Sequence, residues 1–286
     1  MCRLMGNTQG KYAHLAHLAH LIVEAAVSMS TFKKILASVG IGSAKVDTHL
    51  FEATAIPGGT LTGEVHVTGG GIAQEIEEIY LYVATKYRRE SNDSSYYEEC
   101  KLLKHRVSSG MTLQPNEKKV IPVTIEIPYQ TPLTIGHHEV YIRTGLDIAM
   151  AINPKDWDYI SVEPHPMMQQ VLDALKLLGF RSHKATCEYN PRLGRNYPFV
   201  QELEFKPSGK YQKFFDELEV IFYLEPNRLE VMLEIDRRAR GLVSLVEEAL
   251  DVDERYDRFY VTAADLDQPA QTLANRIEDL LHRHTH

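Results

Sequence analysis

The sequence predicts a mainly β protein of two domains with peripheral helices. Between residues 45 and 127, short segments of alternating apolar and polar residues are separated by turns that contain Gly or Pro, with no long helical pattern among them. This arrangement is typical of antiparallel sheets that pack face to face as a β-sandwich. With 286 residues and 44% hydrophobic composition, the chain is long enough for two ordinary domains.

The N-terminal stretch, residues 1–28, has a helical pattern that carries a histidine repeat. His14, His17 and His20 fall three residues apart on one helical face. They indicate either metal ligands or a helical extension, and such an extension could also result from a mis-assigned start upstream of Met29.

Residues 32–39 are predicted as a short amphipathic helix. Its apolar stripe starts at Phe32, Lys33 and Lys34 lie off the stripe, and Gly40 ends the pattern. Such a helix either packs against its own domain or presents Phe32, Lys33 and Lys34 to a membrane surface or a protein partner. These three residues are a first candidate partner surface.

Five strands are predicted next, and the third has the clearest apolar face. Alternate residues of that strand form the face: Ile79, Leu81, Val83, Thr85 and Tyr87. In the last of the five, Ile121, Val123, Ile125 and Ile127 are expected on the buried side. The predicted strands are residues 45–51, 61–67, 75–89, 101–107 and 120–127.

Two connections between these strands have distinct predicted roles. Residues 55–60 form a turn in which Gly58 or Gly59 supplies a positive φ. Residues 91–98 are predicted as a polar loop that exposes Tyr96 and Tyr97, a second candidate partner surface.

Residues 136–166, here called the seam, mark the predicted domain boundary. A strand starting at Val140 is followed by a turn rich in Asp, Asn and Pro, and by a second strand at residues 158–163. His165 and Pro166 then interrupt the extended pattern before a helix. The predicted domains are a β-sandwich at 29–163, a second mainly β domain at 164–260 and a C-terminal helical tail at 261–286, with 1–28 as an extension.

Beyond the seam, the pattern alternates between helices and strands. Residues 225–227 are predicted as the turn of a hairpin, with apolar side chains of its two strands on the same face. The predicted helices are residues 167–178, 241–250 and 271–282, and the predicted strands are residues 183–189, 200–205, 217–224 and 228–235.

Composition excludes several classes of function. The net charge of −8 argues against a nucleic-acid-binding protein, which needs a basic stripe. Cys2, Cys100 and Cys187 are too few and too scattered for a disulfide framework or zinc site, which favours a reducing cytoplasm. No apolar run approaches the roughly 20 residues of a membrane span. Motifs for phosphate, calcium and nucleophilic catalysis are incomplete, so no cofactor is predicted.

The densest polar cluster lies around the seam. Its carboxylates could bind a divalent cation or perform acid–base catalysis, and they could equally cap turns and pair with arginines between the domains. The second interpretation makes them candidate interdomain polar contacts. The residues concerned are Arg143, Asp147, Asp156, Asp158, Glu163, His165 and Arg237.

Several short segments resemble known families. GEVHV at residues 63–67, LQPNE at 113–117 and IP at 127–128 resemble the turn and strand marks of arrestin-like domains. TGLDI at 144–148, VEPHP at 162–166 and VQELEF at 200–205, together with FKKILASVGIGSAKVDT at 32–48, resemble the bacterial sporulation-control family SpoOM. The resemblance covers residues 29–250 and omits residues 1–28.

The resemblance implies a two-domain arrestin-like architecture and a non-catalytic cytoplasmic regulator or adaptor. It also implies protein partners, with cell-division or cytoskeletal components as candidates, bound through exposed strand edges and loops. The alternative is a metal-dependent hydrolase that uses the seam carboxylates. Membrane-surface contact through the helix at 32–39 remains a third interpretation.

Overall fold

The computed structural model describes residues 43–91, 94–149, 153–237 and 256–285. The predicted helices at 32–39 and 241–250, the histidine repeat, Phe32, Lys33 and Lys34 lie outside the described residues. The described strands are β1 (Lys45–Leu50), β2 (Thr54–Ala55), β3 (Thr60–Thr68), β4 (Gln74–Ser91), β5 (Ser94–Leu113), β6 (Lys118–Glu126), β7 (Val140–Ile148), β8 (Lys155–Val162), β9 (Phe180–Tyr189), β10 (Phe199–Pro207), β11 (Phe215–Glu225), β12 (Arg228–Arg237) and β13 (Tyr256–Thr262). The described α-helices are α1 (Pro166–Leu177), α2 (Ala263–Leu266) and α3 (Ala270–His282).

These strands form a small sheet and a large sheet. The small sheet has the order β1-β3-β6, and the large one has the order β13-β12-β11-β10-β9-β4-β7-β8-β2, with β5 paired to β4. The predicted mainly β class is therefore confirmed.

The first half of the chain is a sandwich whose core follows the predicted alternation. All five residues of the predicted β4 face are at most 3% exposed, and Val65 of β3 and Ile125 of β6 are fully buried in the same core. Alternation places one side of each strand toward the opposite sheet, and burial of these side chains stabilises the sandwich.

The predicted turn at 55–60 is confirmed at Gly58. Its φ of +80° lies in the left-handed region, and a Cβ at this position would come within 2.3 Å of the Tyr129 ring. Glycine is therefore required there for both conformation and space.

The second half is a meander of β9 to β13 covered by helices. The predicted hairpin turn is confirmed, with Glu225 paired to Arg228. Leu175 of α1 and Ile277 of α3 are fully buried in the core that also contains Leu218 and Val220 of β11. The predicted helices after residue 166 and at 271–282 are confirmed within a few residues.

One expectation from the sequence is wrong, and one strand is not predicted. Residues 94–98 are not a loop, because β4 and β5 stay paired as far as Ser91 and Ser94, so Tyr96 and Tyr97 lie on β5. Tyrosines favour strands, and here they pair with Arg89 and Arg88 across the ladder. Strand β13 was missed because its charges concealed the buried alternation of Phe259 and Val261.

Candidate functional site

The two halves of the chain meet where the large sheet forks at β4. Along one edge, residues 76–85 of β4 pair with β7, and Arg88 pairs in parallel with Glu188 of β9. Since β7 occupies most of that edge, β9 diverges from β4. We call this junction the fork.

A groove of about 920 Å³ opens in the fork. It is lined by Lys86 and Arg88 of β4, Tyr97 of β5, residues 136–139 and residues 183–188. We call this cavity the fork groove. It therefore contains residues from both sides of the predicted domain boundary.

A chain of hydrogen bonds closes the base of the fork. His138 Nε2 lies 2.8 Å from Thr85 Oγ1 and 3.3 Å from Cys187 Sγ, and the Thr85 hydroxyl donates to the Glu139 carbonyl at 2.8 Å. Because the threonine proton points to Glu139, the geometry assigns the imidazole proton to Nε2, which donates to Thr85 Oγ1. His138 thus connects β4 to β9.

Burial in the fork favours the neutral form of both titratable groups. It lowers the pKa of His138 to about 4, because the desolvated imidazole resists protonation. It also raises the pKa of the Cys187 thiol well above its ordinary value. Cys187 is therefore a protonated packing residue and does not have the properties of a thiolate nucleophile.

Further side chains connect the two halves around the fork. The Gln201 amide bonds both the N–H and the carbonyl of Leu133, at 2.8 Å each, and thereby imitates a backbone partner. The Tyr197 hydroxyl donates to the Leu102 carbonyl at 3.1 Å. Tyr87 stacks on Phe199 with ring centroids 5.4 Å apart, which adds aromatic packing to these hydrogen bonds.

Thr85 and Tyr87 are expected from the sequence on a buried strand face, but none of these residues is predicted to connect the two halves. Lone Thr, His, Gln and Tyr residues carry no spacing signal for such a role, and their hydrogen-bond partners lie 49 to 95 positions away. VQELEF, which contains Gln201, was recognised as a family segment without any indication of what its glutamine does.

The predicted carboxylates of the seam are divided among separate contacts. Asp156 accepts the backbone N–H of Thr48 at 2.8 Å, and Asp147 accepts from Asn153 Nδ2 at 2.8 Å. Glu163 has an exposed side chain, and its backbone N–H donates to Ala55 at 2.9 Å.

His165 and the two predicted arginines contact other partners. His165 precedes α1, where its Nδ1 accepts the Met167 N–H at 3.3 Å as an N-cap. Arg143 pairs with Glu99 of β5 at 2.6 Å, so the expected pairing of Arg143 with the seam carboxylates is wrong. Arg237 ends β12, and its side chain lies outside what the structure describes.

Asp158 is the seam residue with the most perturbed chemistry. Burial, followed by the nearby charge of Asp156, raises the pKa of Asp158 to about 7. Its Oδ2 is buried without a hydrogen-bond partner. Asp156 and Asp158 share a face because they lie two positions apart on β8. Within the described ranges, no group of three or more His, Cys, Asp or Glu side chains has the arrangement of a metal site.

The outer face of the large sheet in the first half is rich in aromatic and cationic side chains. Trp157 and Tyr159 of β8 are 48% and 58% exposed, and the guanidinium of Arg143 lies 4.9 Å from the Tyr82 ring centroid. We define the outer face by Tyr82, Tyr97, Lys101, Lys104, Tyr141, Arg143, Trp157 and Tyr159. None of the helices in the described part of the chain is both long and apolar enough to cross a membrane.

Comparison with known proteins places these features in a family. Residues 32–239 match the family described as SpoOM protein. The chain is 42% identical over 254 residues to the sporulation-control protein Spo0M of Bacillus subtilis (strain 168), covering 88% of this chain and 98% of that protein. The crystal structure of Spo0M from Bacillus subtilis superimposes with a TM-score of 0.76 at 37% identity, covering 85% of this chain and 100% of that one. The family match spans most of the sequence and the relative is similar along nearly its full length, so this chain belongs to the SpoOM family of sporulation-control proteins.

Proposed function

We propose that this protein is a non-catalytic cytoplasmic regulator of the sporulation-control type that acts by binding protein partners. The observation that carries the proposal is the outer face, where three aromatic side chains are about half or more exposed. Tyr97, Trp157 and Tyr159 are 71%, 48% and 58% exposed, respectively. Trp, Tyr and Arg are the residues most enriched at the energetic centres of protein interfaces.

The outer face is also held in a fixed arrangement. Glu99 accepts hydrogen bonds from Arg143 at 2.6 Å and from the Tyr141 hydroxyl at 2.8 Å. Tyr141 in turn packs edge-on against Tyr159, with ring centroids 5.6 Å apart. Because these side chains are already held in place, they would lose little conformational entropy when a partner binds, and this favours affinity.

Cytoplasmic residence is supported by the state of the cysteines. Cys100 and Cys187 are both buried free thiols, and burial raises the pKa of Cys100 to about 11. Such thiols are typical of proteins that fold in a reducing compartment.

The proposal is tested by comparing co-purified proteins from host cells that express tagged variants of the full chain. We expect a Trp157→Ser/Tyr159→Ser double variant to lose specific partners by tenfold or more, because each truncated aromatic anchor costs about 2 kcal/mol. Val120→Ser is the matched control, since Val120 is 52% exposed on the small sheet. Partners retained equally by both variants, or the absence of any reproducible partner, would overturn the proposal.

A second measurement separates the regulator from the metal-dependent hydrolase. Metal analysis of the purified chain is expected to give no stoichiometric divalent cation. One equivalent of bound divalent cation that is lost in an Asp156→Asn/Asp158→Asn double variant would favour the metal-dependent hydrolase over the adaptor.

A further inference from the structure

We propose that the fork groove binds an extended acidic segment of a partner protein, which adds to the edge of β9 as an extra strand. This inference rests on the proposed function and names the chemistry and the binding mode of one partner site. It is carried by the backbone pairing, the shape and the charge of the groove.

The backbone of β9 is paired on one side along its whole length. From Phe180 to Tyr189 it pairs with β10, whereas its other side meets β4 at Glu188. Among the described residues, no further strand pairs with the edge formed by residues 181–187. Extended peptides bind such edges through main-chain hydrogen bonds, while alternate side chains provide specificity.

The shape of the groove fits a single strand better than a second sheet. At about 3.3 Å per residue, residues 181–187 offer an edge of roughly 20 Å, which is long enough for six or seven peptide residues. Residues 136–139 and Tyr97 line the groove together with this edge. The pairing with β10 also shifts register at His183, and such a bulge disrupts the flat surface that edge-to-edge association of two sheets requires.

The charge of the groove selects an acidic segment. Its charged lining consists of three cations, Lys86, Arg88 and Lys184, and two carboxylates, Glu139 and Glu188, in a chain whose net charge is −8. Lys86 already pairs with Glu139 at 2.9 Å, and Arg88 pairs with Glu90 at 2.5 Å and lies 3.6 Å from Glu188. Lys184 has an exposed side chain on the edge itself, so it is placed to meet an incoming carboxylate.

The two faces of the added strand would meet different surroundings. Lys86 and Arg88 lie on the side of β4 opposite its buried residues Thr85 and Tyr87, whereas Cys187, which also lines the groove, is buried. Because side chains alternate along a strand, the segment should carry Asp or Glu at every second position, with apolar or small residues between them. The exposed ring of Tyr97 at the rim offers an apolar contact.

The test uses fluorescence anisotropy of labelled octapeptides with the full chain. One set alternates Asp or Glu with Val, Thr or Tyr, and a matched set carries N-methyl groups on alternate amides, which removes strand pairing without changing charge. We expect saturable binding of the first set that weakens about tenfold in Lys184→Glu, little change in Lys118→Glu, and loss of binding for the N-methylated set. Lys118 is the control because its side chain is exposed on the small sheet.

Several results would overturn the inference. They are the absence of saturable binding to the parent chain, equal binding by Lys184→Glu, and equal affinity for the N-methylated peptides, which would indicate charge attraction alone. A concentration-dependent dimer that Lys184→Glu dissociates would assign the groove to a second copy of the chain. Because Trp157 and Tyr159 do not line the fork groove, partner binding that survives Lys184→Glu would end this inference and leave the proposed function intact.

Discussion

The fork and the contact between β1 and β8 both bury polar groups between layers, but they do so differently. In the fork, Thr85 and His138 satisfy one another and the Glu139 carbonyl. Between β1 and β8, Asp158 keeps one buried carboxylate oxygen without a partner beside a second carboxylate. The fork therefore gains from its polar groups, whereas the β1–β8 contact bears an electrostatic cost.

This difference gives the two places opposite responses to pH. The pKa of His138 is lowered from 6.5 to about 4, so the unfolded chain binds more protons between these values and stability falls as the pH falls. The pKa of Asp158 is raised from 3.8 to about 7, so the folded chain binds more protons in that window. The Asp158 contribution to stability is therefore lost as the pH rises toward 7.

The largest expected effect comes from removing the hydrogen bonds at the base of the fork. Thr85→Val keeps the shape but removes a hydroxyl that bonds both His138 and Glu139, and we expect it to lower the free energy of unfolding by about 2–3 kcal/mol. Thr144→Val is the matched change beside the β1–β8 contact, where the buried hydroxyl of Thr144 on β7 bonds that of Thr48 on β1 at 2.6 Å. Its cost should be about 1 kcal/mol, as measured by urea unfolding at pH 7.5. Equal losses in the two variants would contradict the contrast between the regions.

A somewhat smaller effect concerns the acid sensitivity of the fork. His138→Gln keeps an N–H donor that cannot titrate. Urea unfolding of the parent should therefore lose about 2 kcal/mol more than the variant between pH 7 and pH 4.5, after allowance for partial exposure of the imidazole. Parallel pH profiles for the two proteins would show that His138 is not the group that titrates.

The smallest effect concerns Asp158. Asp158→Asn removes a charge that the fold disfavours, so the variant should be about 1 kcal/mol more stable than the parent at pH 8, after discounting for partial exposure. At pH 5 the folded parent carboxyl is already protonated but the unfolded one is still ionised, so the gain should shrink to about a third of its pH 8 value. Thermal or urea unfolding at both pH values measures the change. A gain of equal size at pH 5 and pH 8 would point to packing and not to charge.

The features that could be predicted from the sequence are the local ones. The buried face from Ile79 to Tyr87, a left-handed glycine in the turn at 55–60 and the proximity of Asp156 to Asp158 each follow from neighbouring residues. The fork does not, because it depends on the 18-residue length of β4, which lets one edge accept both β7 and β9. The alternation of apolar and polar residues indicates where a strand runs, but it does not say which other strands pair with that strand's edges.

The domain boundary shows the same limit. The prediction places it within residues 136–166 because His165 and Pro166 interrupt the extended pattern there before a helix, and helix α1 does begin at Pro166. The contacts that join the halves are nevertheless distant in sequence, as in the pairs of His138 with Cys187 and Leu133 with Gln201.

The continuous backbone of β4 has a mechanical consequence. Both halves of the chain are attached to this strand, and in the described residues β9 pairs with it at a single position, Arg88 with Glu188. A small rotation of the C-terminal meander about β4 would therefore widen or narrow the fork groove while the pairing of the other strands stayed intact. The width of the groove would then be set by the side chains of His138, Cys187 and Gln201, which bridge the two halves.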